Sequence, residues 1–193
     1  MTTKEILKSM LKDIIPYING EWFVGDGALL GITRDKDLIE WDNDIDLFFL
    51  PDTTIDLPVD SPYKTQKYYM DTKLYNINNN KNTLNPWSEY CSYYNQTRKL
   101  NRRDLFNKAS KSYKKCRIEA EFTTPYIDIF HLTRDKTTGL YSPKFWDYYY
   151  TVDDLKLQKN NDLGYEIYIP NNQEEILTRQ YGNWQIPNKD FKY

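Results

Sequence analysis

Cysteine and histidine are scarce in this chain, and their scarcity removes whole classes of chemistry. Two cysteines, Cys91 and Cys116, and one histidine, His131, are too few ligands for a zinc finger or ribbon. The same count excludes a disulfide framework, so a reducing, cytoplasmic setting is expected. Neither cysteine carries a nucleophile signature, and one histidine does not support a Ser-His-Asp set. No run approaches the roughly 20 apolar residues of a membrane span. The N-terminal M-T-T-K-E-I-L-K lacks the apolar core of a signal peptide. An excess of one charge is also missing: the formal net charge of −2 gives no global pull toward nucleic acid or anionic lipid. Hydrophobic residues make up 39% of the chain, but aromatics reach 16%, so 18 tyrosines and 5 tryptophans supply burial that aliphatic residues usually give. At 193 residues the chain is long enough for one domain with a real core. Asn95-Gln96-Thr97 matches a glycosylation sequon, which carries little meaning in a cytosolic protein.

What is present reads as a mixed α/β chain with a small sheet and helices around it. Ile6, Leu7, Met10, Leu11, Ile14 and Ile15 fall on one face of a helix over 3–15, with Thr2 and Glu5 placed for a capping box. Residues 21–24 predict a short strand, Gly25-Asp26-Gly27 a tight turn, and 28–32 the start of a short helix. A strand over 45–50 closes at Pro51. The stretch 51–85 is rich in Asp, Pro, Thr and Asn with few apolar runs, and 76–85 reads as an exposed loop. Residues 87–115 are expected to be helical and basic. Between Arg98 and Arg117 nine basic residues face one acidic residue, a local +8, so the rest of the chain carries −10. Residues 117–122 and 126–132 predict paired strands, 143–157 a helix and 165–169 a strand. A last helix over 173–180 would have Asn171 or Asn172 as cap and Glu174 and Glu175 at its positive end. The expected organisation is a single domain over 1–193 with a basic helical insertion at about 85–116.

The chemistry concentrates at Trp41–Asp46, W-D-N-D-I-D, where three carboxylates occupy alternate positions before an apolar strand. Alternate strand residues share a face, so Asp42, Asp44 and Asp46 can aim at one point. Like charges crowded there are costly unless a cation lies between them, and an all-oxygen set suits Mg2+ or Mn2+. Upstream, Gly25, Gly27 and Gly31 are three of only seven glycines. They let a phosphate approach backbone N–H groups over Gly27 and Ala28, or they simply make a turn. Arg34 and Lys36 either neutralise phosphate charge or belong to a solvated loop of alternating charge. Asp128, in Tyr126-Ile127-Asp128-Ile129-Phe130, is expensive in a strand without a partner. It is a metal ligand or a base toward an acceptor hydroxyl if its strand adjoins 45–50, or a water-facing residue on an edge strand. His131 reads as a structural or surface residue. The basic stretch 98–117 suits a diphosphate donor, an anionic glycan or nucleic acid, or is a solvated helix face, with Tyr93, Tyr94 and Tyr113 available for stacking or core packing.

The segment Gly27-Ala28-Leu29-Leu30-Gly31-Ile32-Thr33-Arg34, followed by Ile39-Glu40-Trp41-Asp42-Asn43-Asp44-Ile45-Asp46, closely resembles the LicD family, whose pattern is G-T-L-L-G-x-x-R and then W-D-D-D-I-D. Ile127-Asp128-Ile129-Phe130 resembles the family's hydrophobic-Asp-hydrophobic strand. Ile169-Pro170 and Tyr181-Gly182-Asn183-Trp184 with Pro187 resemble its C-terminal signature. The resemblance implies a nucleotidyltransferase fold of the polymerase β type and relatives such as phosphocholine and fukutin-like ribitol phosphate transferases. It implies transfer of a phosphorylated alcohol from a CDP-linked donor to a glycan hydroxyl, with release of CMP and no nucleic-acid partner. By similarity, Asp44 and Asp46 are the metal pair, Asp42 adjoins them, Asp128 is the third carboxylate, and Gly27 and Arg34 help hold the donor phosphates. Ala28 replaces the usual Thr, Asn43 the middle Asp, and the zinc-binding cysteines of fukutin-like relatives are absent. A nucleotidyltransferase acting on a small molecule or RNA, and a non-catalytic binding module of the same fold, stand as alternatives.

Overall fold

The computed structural model describes residues 1–67, 72–76, 125–143 and 148–188. The order of elements begins with helix α1 (Thr3–Ile14), a short 3-10 turn at Ile15–Tyr17, and strands β1 (Ile18–Asn19) and β2 (Trp22–Gly25). Helix α2 (Asp26–Asp35) follows, and then strands β3 (Asp44–Phe49), β4 (Thr54–Ile55), β5 (Tyr63–Lys67), β6 (Thr72–Asn76) and β7 (Tyr126–Arg134). Strands β8 (Tyr141–Pro143), β9 (Leu157–Asn160) and β10 (Ile167–Pro170) and helix α3 (Gln173–Tyr181) complete it. The main sheet has the order β2-β3-β7-β6-β5, with β8 on the far end of β7. Only β3 and β7 run parallel; the other pairs in this sheet are antiparallel. This is a mixed α+β architecture, as the pattern of the sequence predicts.

The period-2 pattern gives the sheet two different faces. Trp22, Val24, Ile45, Leu47, Phe49, Ile127, Ile129 and Leu74 share one side and are all buried. Helix α1 contacts β7, and its buried Leu7, Met10, Leu11 and Ile14 join the same core. The helix starts as its sequence dictates: Thr2 accepts from the Glu5 backbone and the Glu5 carboxylate accepts from the Thr2 backbone. On the opposite side Phe23, Phe48 and Phe130 lie in register on three neighbouring strands and stack at centroid spacings of 5.3 and 5.2 Å. Tyr150, fully buried, closes edge-on over Phe23 and Phe48. Four buried aromatics thus occupy one end of this sheet face, and the carboxylates occupy the other end.

Several expectations from the sequence need correction. Gly25-Asp26-Gly27 is no free turn: Gly25 is the N-cap of α2 and Asp26 its first residue, in a left-handed conformation with φ of 44°. Arg34 and Asp35 are the last turn of that helix rather than a loop, and Lys36 ends it at φ of 58°. The stretch 51–85, poor in apolar runs, holds β4, β5 and β6 among its described residues: β4 pairs with β1, β5 with β6, and β6 with β7. In place of the helix expected over 143–157, the described residues 148–157 hold a bridge from Tyr150 to Tyr141, turns and the start of β9. Tyr126–Arg134 pairs with β3, β6 and β8; the partner expected at 117–122 and the basic helix at 87–115 lie outside the described residues. Among the described residues no helix is long and apolar enough to cross a membrane.

Gly31 shows how closely α2 is packed. A Cβ there would stand 2.6 Å from the Asp37 carbonyl oxygen and 2.8 Å from the Ile39 backbone nitrogen. Alanine would gain about 1 kcal/mol of helix propensity. The backbone it would meet cannot rotate away, and overpacking of this kind costs about 1–3 kcal/mol. The Gly31→Ala variant is therefore expected to melt several degrees lower by calorimetry, and an unchanged or raised melting temperature would contradict this packing.

Candidate active site

The carboxylates are brought together by strand register. Gly25 on β2, Asp46 on β3, Asp128 on β7 and Lys73 on β6 stand directly opposite one another in a row across four strands. Opposed residues of neighbouring strands share a face. Asp44, two residues before Asp46, shares that face and is opposite Tyr126. Asp44, Asp46 and Asp128 each offer an oxygen, and these oxygens lie within 4.8 Å of one another. Gly25 is required at its end of the row: a Cβ there would fall 2.3 Å from the Phe48 ring.

Asp42 arrives from the loop between α2 and β3. That loop is tied to α1 by ion pairs from Lys4 to Asp37 and Glu40 and from Lys8 to Asp37. The Asp42 carboxylate accepts from the Asn43 backbone and lies against Gly27, where a Cβ would be only 2.6 Å from its Oδ2. Gly27 is therefore required by a close approach, and with Ala28 it forms the first turn of α2, beside the acids. Arg34 and Lys36 are at the other end of the same helix, about 12–15 Å along its axis from Asp26. The Arg34 guanidinium forks onto Asp35 at 2.8 and 2.7 Å and reaches the Trp184 carbonyl, while Lys36 is exposed.

Two further members escape a sequence reading. Asp26, 7% exposed, accepts hydrogen bonds from the Tyr148 hydroxyl at 2.9 and 3.1 Å and from Gln180 Nε2 at 3.1 Å. Its partners lie more than 120 residues away, so only its place between two glycines at a helix start could have marked it. Lys73 donates to both oxygens of Asp128, at 2.5 and 2.7 Å, with both side chains under 10% exposed. The signal for Lys73 was a lone cation within the alternating Thr72-Lys73-Leu74-Tyr75. His131 belongs to neither group: it is exposed, three residues from Asp128 and so on the opposite face, edge-on to Phe49.

The electrostatics follow from packing. Burial, then the charge of Asp44, pushes the Asp42 carboxyl up to about 7. Burial raises Asp26 to about 6, against the lowering effect of the Tyr148 and Gln180 hydrogen bonds. Asp46 is raised well above the ordinary range, first by burial and next by Asp44. The protein thus holds carboxylates at a separation that keeps protons on some of them. Such a site favours a multivalent cation, and its donors are all hard carboxylate oxygens, which fit a hard divalent ion.

Comparison with known proteins agrees with this geometry. No curated protein matches the chain. The LicD/FKTN/FKRP nucleotidyltransferase-domain profile matches residues 19–129, a span that includes β2, α2, β3 and the start of β7 with Asp128. The C-terminal segment with Trp184 lies beyond the match, where Trp184 Nε1 donates to Thr178 and α2 packs against α3. With the match covering more than half of its length and its carboxylates set on neighbouring parallel strands, the chain belongs to the LicD/FKTN/FKRP nucleotidyltransferase-domain family, which is generally transferase-like.

Proposed function

We propose that the protein transfers a phosphorylated alcohol, such as phosphocholine or a polyol phosphate, from a CDP-linked donor to a glycan hydroxyl, releasing CMP. The observation that carries the reading is the convergence of Asp44, Asp46 and Asp128 on one face of the sheet, in a chain of this family. Asp44, Asp46 and Asp128 would hold Mg2+ or Mn2+, with Asp42 adjoining. When bound, the cation offsets charge on the donor's phosphates in the transition state.

The chain's own residues do the rest. No side chain caps the start of α2 at Gly25. The N–H groups of its first turn, at Gly27 and Ala28, are therefore available to a donor phosphate, and the helix dipole favours an anion there. The nearby acids would repel that phosphate unless their charge is offset, so donor binding is expected to require the cation. Arg34 serves this arrangement from a distance by joining the end of α2 to the Trp184 segment. Lys36 remains available to charge on the donor or acceptor at the same end.

Asp128 is a proposed ligand of the cation and also carries the Lys73 ammonium. The proton of the acceptor hydroxyl is assigned instead to Asp42, the carboxylate that adjoins the proposed ligands and lies against the first turn of α2 at Gly27. A donor panel tests the function. With Mg2+ or Mn2+, CMP release is expected from CDP-choline, CDP-ribitol or CDP-glycerol in the presence of a glycan acceptor. Pyrophosphate release from NTPs would instead identify a nucleotidyltransferase. Metal-dependent donor binding with turnover on no acceptor would identify a binding module.

A further inference from the structure

We propose that Lys73 is a positioning residue of the site: it fixes the Asp128 carboxylate in the orientation from which that carboxylate can hold a cation. The inference rests on the proposed cation site and concerns how this chain prepares it. Lys73 and Asp128 are register partners on β6 and β7, so the pairing is built into the sheet and not made by a flexible loop. The Lys73 ammonium bridges both Asp128 oxygens and sits 4.3 Å from the centroid of the Tyr126 ring. Tyr126 in turn is the register partner of Asp44. Held by a carboxylate on one side and a ring face on the other, the ammonium has little freedom.

The pair stands within a crowd of carboxylates. Asp26, Asp42, Asp44 and Asp128 all act electrostatically on Asp46. Of the ion pairs among the described residues, the Lys73–Asp128 pair is the one that reaches this cluster; the others lie on α1 and its loop, at the end of α2, or toward β9 and α3. A carboxylate has about four lone-pair directions. The lysine fork uses one on each oxygen of Asp128, and Asp128 still offers an oxygen within 4.8 Å of those of Asp44 and Asp46. Lys73 thereby orients a ligand, as second-shell groups commonly do. The rival role is a plain counter-charge that keeps a buried Asp tolerable.

Metal binding separates the two roles. In Lys73→Met the Mn2+ affinity by calorimetry is expected to fall at least about 10-fold, the usual cost of losing an orienting partner, and Lys73→Arg is expected to recover most of it. A plain counter-charge predicts the reverse sign for Lys73→Met, since removing a cation favours binding of another; unchanged or tighter Mn2+ binding overturns the proposal. Where Lys73→Met fails to fold, the wild-type protein decides. Addition of Mg2+ must move the Lys73 Nζ resonance along with the Asp128 Cγ resonance. A Lys73 signal that stays still while the Asp44, Asp46 and Asp128 signals shift overturns the assignment of Lys73 alone. No response from any of the three aspartates overturns the cation site itself, and the proposal with it.

Discussion

Turnover by Asp44→Asn or Asp46→Asn is expected to fall on the order of 10³-fold or more, with the fold intact. Asparagine keeps the shape of the side chain and one acceptor oxygen, so the loss reports the missing charge. Offsetting phosphate charge in the transition state is worth several kcal/mol, and each 1.36 kcal/mol is a factor of ten in rate. The effect on stability has the opposite sign. Asp46 is crowded by Asp44, Asp26, Asp128 and Asp42, and an Asn there both removes a charge and offers an NH2 donor to its acidic neighbours. Both variants are therefore expected to melt at or above the temperature of the wild type when all are measured with chelator. They should also lose the Mn2+ heat signal seen with the wild type. Full activity in either variant with metal present would remove the catalytic assignment. Lost activity together with a collapsed fold would mean that the charge is needed for structure.

The parts of the site written in local patterns were legible in the sequence. Alternation put Asp44 and Asp46 on one face, and the isolated Asp128 between Ile127 and Ile129 demanded a partner strand. The parallel register of β3 and β7 supplies that strand and sets Asp46 opposite Asp128. Lys73 was not legible because its meaning depends on β6 lying beside β7, a non-local pairing that no local pattern announces. Asp26 failed for the same reason: Tyr148 and Gln180 are distant in sequence, and a residue flanked by glycines reads as a turn. Arg34 was legible as a charge near the glycines, but helix length decides where it stands. Ten residues of α2 carry it away from the first turn. The helix expected over 143–157 shows the limit of propensity, since Tyr150 is drawn into a bridge with Tyr141 and buried over Phe23 and Phe48.

In the absence of metal, the stability of the protein is expected to fall as pH rises from about 5 to 8, and a divalent cation should reverse that trend. The ordinary value for these carboxyls is 3.8, while Asp26 stands at about 6 and Asp42 at about 7, with Asp46 raised as well. Between these values the native protein binds more protons than the unfolded chain, so stability is greatest on the acid side and declines as the pH climbs through the native values. Asp35 and Asp37, lowered beside basic groups, and Asp135, lowered by backbone N–H donors, act the other way, but only below their ordinary range. The metal-free optimum therefore falls near the ordinary carboxyl value of 3.8, and each tenfold difference in proton affinity is worth about 1.4 kcal/mol. A cation binds the deprotonated cluster and so gains with pH what the free protein loses. At a concentration 100 times its dissociation constant it would add about 2.7 kcal/mol, roughly 5–10 °C in a chain of this length. Melting curves at pH 5.5 and 8, each with chelator and with Mg2+ or Mn2+, measure both effects. A chelated protein that melts higher at pH 8 than at pH 5.5 would mean that the carboxylates are not crowded. Melting temperatures at pH 8 that ignore the cation would mean that the cluster does not hold one.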